Sequence, residues 1–204
     1  MNGRLAILAA LLCATPLTAQ TTIGGRAGMT LSQFATADEE VEPSSIAGIH
    51  FAVTASRMRG GVGIALSAGY TERGTGFTAD ALPGDVDFSF RLGYIDVAAL
   101  GKASLGTGPY LLAGPGLSVM VSCTASVSSE GSSLSSDCGA NQDDPFKILD
   151  FGVSGGAGIS FDVVDFHMVV EALYGFGILN ISDVPDDSAM NRGLMIRVGA
   201  DWVL

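Results

Sequence analysis

The groups in this 204-residue chain that could do chemistry are two histidines, three cysteines and a sparse set of charged side chains. A serine, a histidine and an acid within hydrogen-bond reach make a nucleophile and its base. His50 follows closely on Ser44 and Ser45, and an acid from a neighbouring connection would complete such a set. Serine is common in these segments, however, and with only His50 and His167 to serve as base no spacing singles out a triad, so the chain is read as no enzyme. His167 is read as an interior hydrogen-bonding group. No Asp/Asn/Gly spacing matches a calcium loop, and the glycine-rich stretch at 60–63 (GGVG) enters a strand rather than a helix, so it cradles no phosphate. No metal and no cofactor is assigned.

The cysteines divide by position. Residues 1–19 carry Arg4, an apolar core over 5–14, Pro16 as a helix breaker and Ala19 at the expected cut, which reads as an export signal and leaves 20–204 as one domain. Cys13 lies inside that signal, and Leu12 before it does not suit a lipoprotein attachment site. Cys123 and Cys138 remain, in a compartment that favours oxidation, and bracket the serine-rich CTASVSSEGSSLSSDC. We read them as a structural disulfide that orders this segment by closing a loop of about 15 residues.

These groups sit on strands. In 149–161 (LDFGVSGGAGISF), Leu149, Phe151, Val153, Ala157, Ile159 and Phe161 share one face, opposite Asp150, Gly152, Ser154, Gly156, Gly158 and Ser160. The segments 62–70 and 166–178 follow the same rule, and weaker alternation over 23–34, 46–57, 86–100, 108–122 and 190–204 brings the count to eight. Glycine, serine and alanine are too small to build a dense apolar core but suit the inside of a narrow barrel, so the oily face points outward. Phe88, Tyr94, Phe166, Tyr174, Phe176 and Trp202 are then candidates for the interfacial girdles. The predicted fold is all-β, an eight-stranded antiparallel up-and-down transmembrane β-barrel.

On the inward parity fall Arg26, His50, Asp87, Arg91, Asp150, His167, Glu171, Arg197 and Asp201, with Asp96 outward. Isolated ions in a narrow lumen are costly, so we expect Arg26, Arg91 and Arg197 to form a polar network with Asp150 and Glu171 that plugs the interior.

Composition agrees with a barrel. Hydrophobic residues make up 48% and charged residues 15% of the chain, too little charge to cover a water-facing surface, yet past the first twenty residues no apolar run is long enough for a spanning helix. The net charge of −11 excludes nucleic acid as a partner. Connections alternate long (35–45, 72–85, 124–146, 182–189) and short (58–61, 101–107, 162–165), and 15 of the 21 acids fall in or beside the long ones. In outer-membrane barrels the short turns are periplasmic and the long loops external.

The blocks GGRAGMTLSQF, YIDVAALGKA, GPYLLAGPGLSVMVSC, DFGVSGGAGISF and VVEALYGFGILNI resemble the PorT-like outer membrane protein β-barrel domain family over essentially the whole mature length. The resemblance implies an eight-stranded outer-membrane barrel, named in places as porin family, with one member group assisting protein secretion. Where that family has Tyr-x-Glu-x-Pro-Leu-Leu, this chain has Tyr94, Asp96 and Ala98, without the proline. The C-terminus also resembles the strand read by the barrel-insertion machinery, with Arg197, Gly199, Trp202 and Leu204 at the expected spacing and leucine in place of the usual phenylalanine.

The sequence thus predicts an outer-membrane protein with a structural or interaction role and acidic outer loops. A narrow porin-like channel for small solutes or cations and an accessory of a secretion system are the alternatives. Its expected surroundings are outer-membrane lipid, lipopolysaccharide and the insertion machinery, and the chain is read as a monomer with no specific protein partner assigned.

Overall fold

The computed structural model describes residues 20–36, 43–81, 84–129, 132–138, 146–184 and 188–204. The segment 1–19 read as an export signal and most of the acids assigned to the outer connections lie outside them. Among the described residues nine strands are present: β1 (Gln20–Thr36), β2 (Ser44–Arg59), β3 (Val62–Ala81), β4 (Gly84–Ser104), β5 (Pro109–Ser129), β6 (Ser132–Asp137), β7 (Leu149–Val163), β8 (Phe166–Gly177) and β9 (Ala189–Val203). Eight of them close a ring in the order β1-β2-β3-β4-β5-β7-β8-β9, every neighbouring pair antiparallel, with Thr22 opposite Val203 at the closure. The ring is an all-β, up-and-down barrel, and β6 stands outside it.

Alternation decides the wall. Val53, Ile64, Val97 and Val198 are all at least half exposed on the outside, alongside Ile23, Phe51 and Trp202. Keeping each such side chain in water would forgo about 1.5–3 kcal/mol, so the wall suits hydrocarbon and not solvent. Tight turns join the strands at one end. The β2–β3 turn uses Gly60 and Gly61 at φ 58° and 87°, the left-handed pair that a two-residue hairpin requires. Both edges of the closure, Gln20 and Val203, lie at that same end.

Two expected loops are strands instead. The connection placed at 72–85 is a hairpin in which β3 and β4 stay paired up to Ala81 opposite Gly84. Within 124–146, β5 continues to Ser129 and turns back as β6, and the Cys123–Cys138 disulfide joins the two with Cα atoms 5.2 Å apart. The partners that flank these hairpins in the barrel stop earlier, β2 at Ser44 opposite Gly76 and β7 at Leu149 opposite Val119. Beyond those points the upper parts of β3, β4, β5 and β6 rise from the rim as a four-stranded sheet of their own. Alternation of threonine, phenylalanine, valine and serine carries these segments into strands, although their polarity reads as loop.

The face assignment of β4 is the other correction. Tyr94 is fully buried inside the barrel rather than in a girdle, and Asp96 points inward rather than outward. Arg91 lies on the outer wall, half exposed and paired with Glu72 at 3.1 Å, so it does not join the interior network. Asp87 is likewise exposed. The cause is register: Thr71 faces Tyr94 and Gly69 faces Asp96 on β3, and those odd positions of β3 are inward.

Candidate functional site

The chemistry of the molecule is inside the barrel. Near the short-turn end, Arg26 on β1 donates from both terminal nitrogens to Asp201 on β9, at 2.7 and 2.9 Å, and from Nε to Glu171 on β8 at 3.2 Å. Arg197 on β9 donates to the same Glu171 oxygen. The other oxygen of Glu171 accepts from the Tyr110 hydroxyl of β5 at 2.7 Å. Lys102 of β4 lies 3.9 Å from the centre of the Tyr110 ring. All of these partners except Lys102 are buried, so the carboxylate is held by two guanidinium groups and a phenol in a space that excludes water.

A second cluster lies further toward the mouth. Arg73 on β3 donates to Asp96 at 3.0 Å, to Asp150 on β7 at 3.3 Å and to Ser118 on β5 at 3.1 Å, with its guanidinium 5.1 Å from the centre of the Tyr94 ring. Asn191 on β9 donates to Asp150 at 2.8 Å and to the Tyr94 hydroxyl at 3.3 Å. His50 is tied to the first cluster. Arg197 can only donate, so His50 Nε2 accepts from it at 3.4 Å, and the ring proton on Nδ1 is donated to Thr71 at 2.8 Å. Among the described residues the two clusters hold four cations (Arg26, Arg73, Lys102, Arg197) and four acids (Asp96, Asp150, Glu171, Asp201). The lumen is therefore charged but balanced.

Above this network the mouth is filled by hydrocarbon. Phe34, Phe90 and Phe146 stack edge to face, with successive ring centres 5.5 Å apart. Leu92, Ile181, Ala189 and the Cys123–Cys138 bridge pack around them. The strip that carries Phe146 is pinned by a bridge to Ser182 and by the Lys147 amide donating to the Ile181 carbonyl at 2.7 Å. Between cap and network remains a cavity of about 120 Å³, lined by His50, Arg73, Asp96, Asp150 and Arg197 among others.

Of the five residues predicted for the interior network, Arg26, Glu171 and Arg197 meet, Asp150 belongs to the second cluster, and Arg91 is absent. The sequence reading misses Arg73, Lys102 and Tyr110. Arg73 is legible: continuing the inward set Gly63, Ala65, Ser67, Gly69 by twos gives Thr71, Arg73 and Thr75, but a strand ended at Tyr70 leaves it out. Ser45 donates to Gln33 at 2.9 Å, while both ring nitrogens of His50 are engaged with Thr71 and Arg197, so the serine and the histidine do not share a partner. His167 lies at the short-turn rim, 2.6 Å from Asp162.

In the C-terminal strand, Arg197 faces inward while Trp202 and Leu204 are exposed, Trp202 beside Phe166 with ring centres 6.0 Å apart. Gly199 has a packing reason of its own. A Cβ there would fall 2.0 Å from the Gly25 carbonyl and 2.7 Å from Arg26 Cδ. Gly199→Val is expected to cost about 1–3 kcal/mol by overpacking, read as a lowered urea midpoint of the refolded barrel in detergent.

No curated protein matches the chain. Among solved structures it is similar to Ail, the attachment invasion locus protein of Yersinia pestis, at 18% identity over 91% of this chain and 100% of that one, TM-score 0.45. Neisserial surface protein A is similar at 15% identity over 87% and 95%, TM-score 0.46. The outer membrane protein OprG of Pseudomonas aeruginosa is similar at 10% identity over 92% and 96%, TM-score 0.44. A model of the outer membrane protein beta-barrel domain matches residues 18–183, which spans seven of the eight ring strands and every interior ion pair except those made by β9. With its ring of eight strands, its oily wall and its paired charges inside, the chain belongs to the outer membrane protein beta-barrel domain family and is an outer-membrane protein.

Proposed function

We propose that this barrel is a closed, non-conducting outer-membrane protein whose role is structural or interactive and is exercised by the sheet and loops above its mouth. One observation carries the reading: the lumen is crossed at two levels, by the Arg26–Glu171–Arg197–Asp201 network and by the phenylalanine cap, with a cavity of about 120 Å³ between. A solute would have to break several buried ion pairs to pass, and each broken pair leaves an uncompensated charge. On this reading the apolar wall contacts lipid and lipopolysaccharide, and Arg197, Gly199, Trp202 and Leu204 are read by the insertion machinery.

The test is conductance. Purified, correctly folded barrel in planar bilayers is expected to give no current steps above background in monovalent salt. Regular ohmic steps would overturn the reading in favour of a narrow channel. The resemblance to the PorT-like group supports the second reading, an accessory of a secretion system, which predicts co-purification of secretion components from native membranes after cross-linking.

A further inference from the structure

Among the described residues the sheet above the mouth ends in an open edge. Among the described residues β6 pairs only with β5, and all six of its residues are exposed. Exposed edges are ordinarily blunted with lysine, proline or a bulge. β6 reads Ser-Ser-Leu-Ser-Ser-Asp, with its one charge at the last position and no lysine or proline, while Leu134 stands 74% exposed. The Cys138 amide donates to the Cys123 carbonyl, so in the β5–β6 ladder the hydrogen-bonded pairs are those of residues 138, 136, 134 and 132. The amides and carbonyls of Ser133, Ser135 and Asp137 therefore point to the free edge.

We propose that β6 is a self-recognition edge, pairing antiparallel with β6 of a second copy of this chain about Leu134. Residues 132–136 are a palindrome, SSLSS, so antiparallel self-pairing sets Leu134 against its twin, Ser133 against Ser135 and Ser132 against Ser136. Such a pairing is isologous: each copy offers the same patch. The register also uses the groups that are free, because Ser133 and Ser135 exchange the hydrogen bonds while the two Leu134 side chains meet in a non-hydrogen-bonded pair, where side chains come closest. Asp137 falls opposite position 131, a glycine, so no two acids face each other.

Topology fixes where the second copy is. β5 runs from Pro109 at the short-turn end to Ser129 beyond the mouth, and β6 returns toward the membrane. A two-fold axis along the membrane normal would leave the rising components of the two β6 strands parallel. Antiparallel pairing needs an axis in the membrane plane, which puts the two barrels in facing membranes. The chain stays monomeric in its own bilayer and links one surface to another. This inference rests on the interaction reading above and names its partner.

The test uses the full mature barrel in phosphatidylcholine vesicles at about 0.15 M salt, where a screening length of about 8 Å mutes repulsion between the acidic loops. Each contact is small, but many act together between facing vesicles, so wild-type vesicles are expected to scatter light as clusters at least about tenfold above empty ones. Ser135→Pro removes a free-edge amide without touching a β5–β6 backbone hydrogen bond, giving up only the exposed Ser126–Ser135 hydroxyl contact at 3.0 Å, and proline is tolerated on an edge, so the variant should fold and leave its vesicles dispersed. On air oxidation Leu134→Cys should cross-link vesicle to vesicle, and Ser133→Cys should not, since it faces Ser135. Dispersed wild-type vesicles, clustering by Ser135→Pro, or equal cross-linking at 133 and 134 would each overturn the proposal. A barrel that conducts but clusters sinks the closed-lumen reading alone, and one that is silent and dispersed sinks only this inference.

Discussion

Glu171→Leu is expected to lose about 3–5 kcal/mol of barrel stability, the usual effect of stranding buried charges by deleting their partner. Arg26 keeps Asp201, to which it donates twice, but Arg197 loses its carboxylate and Tyr110 its acceptor. The measurement is reversible urea unfolding of the refolded protein in lipid or detergent. Pairing the change with Arg197→Met should restore much of the loss, because the second substitution removes the stranded guanidinium and leaves the Arg26–Asp201 pair intact. A loss under about 0.5 kcal/mol for the single variant, the scale of an ordinary surface change, would show that the network does not hold the strands together.

Arg73→Met should be nearly as severe, about 3–5 kcal/mol, since it deprives Asp96 and the buried Asp150 of their common cation. Arg91→Met is the matched control on the same sheet. Arg91 is half exposed and paired to Glu72 on the outer wall, so its removal should cost no more than about 1 kcal/mol. The two arginines are discriminated by the face they occupy. If Arg91→Met proves the costlier change, β4 turns its other face to the lumen.

The parity of β4 also marks how far the sequence can be read. In β7, Leu149, Phe151 and Val153 alternate with Asp150, Gly152 and Ser154, so the oily side is unambiguous and the structure keeps it. In β4, Leu92, Tyr94 and Leu100 compete with Ile95, Val97 and Ala99, and both faces read as apolar. No local count separates them. The choice is made by pairing with β3, where small and polar odd positions must face the lumen.

The hairpins above the mouth are hidden for a different reason. Threonine and serines over 124–129 and 132–137 look like loop because their side chains are small and polar, but β4 and the disulfide supply the partners that let them pair as strands. The phenylalanine cap is likewise out of reach, since Phe34, Phe90 and Phe146 meet only once the ring has closed.

Strand period, the short turns and the outward oily face of strands such as β7 were determined by the sequence alone, because each depends on residues within a few positions of one another. The identity of the interior partners was decided by the tertiary structure. Arg73 meets Asp150 across 77 residues and Arg26 meets Asp201 across 175, and such meetings follow from ring closure and strand register. Alternation says that a charge faces inward; only the register of neighbouring strands says at what height, and therefore which opposite charge neutralises it.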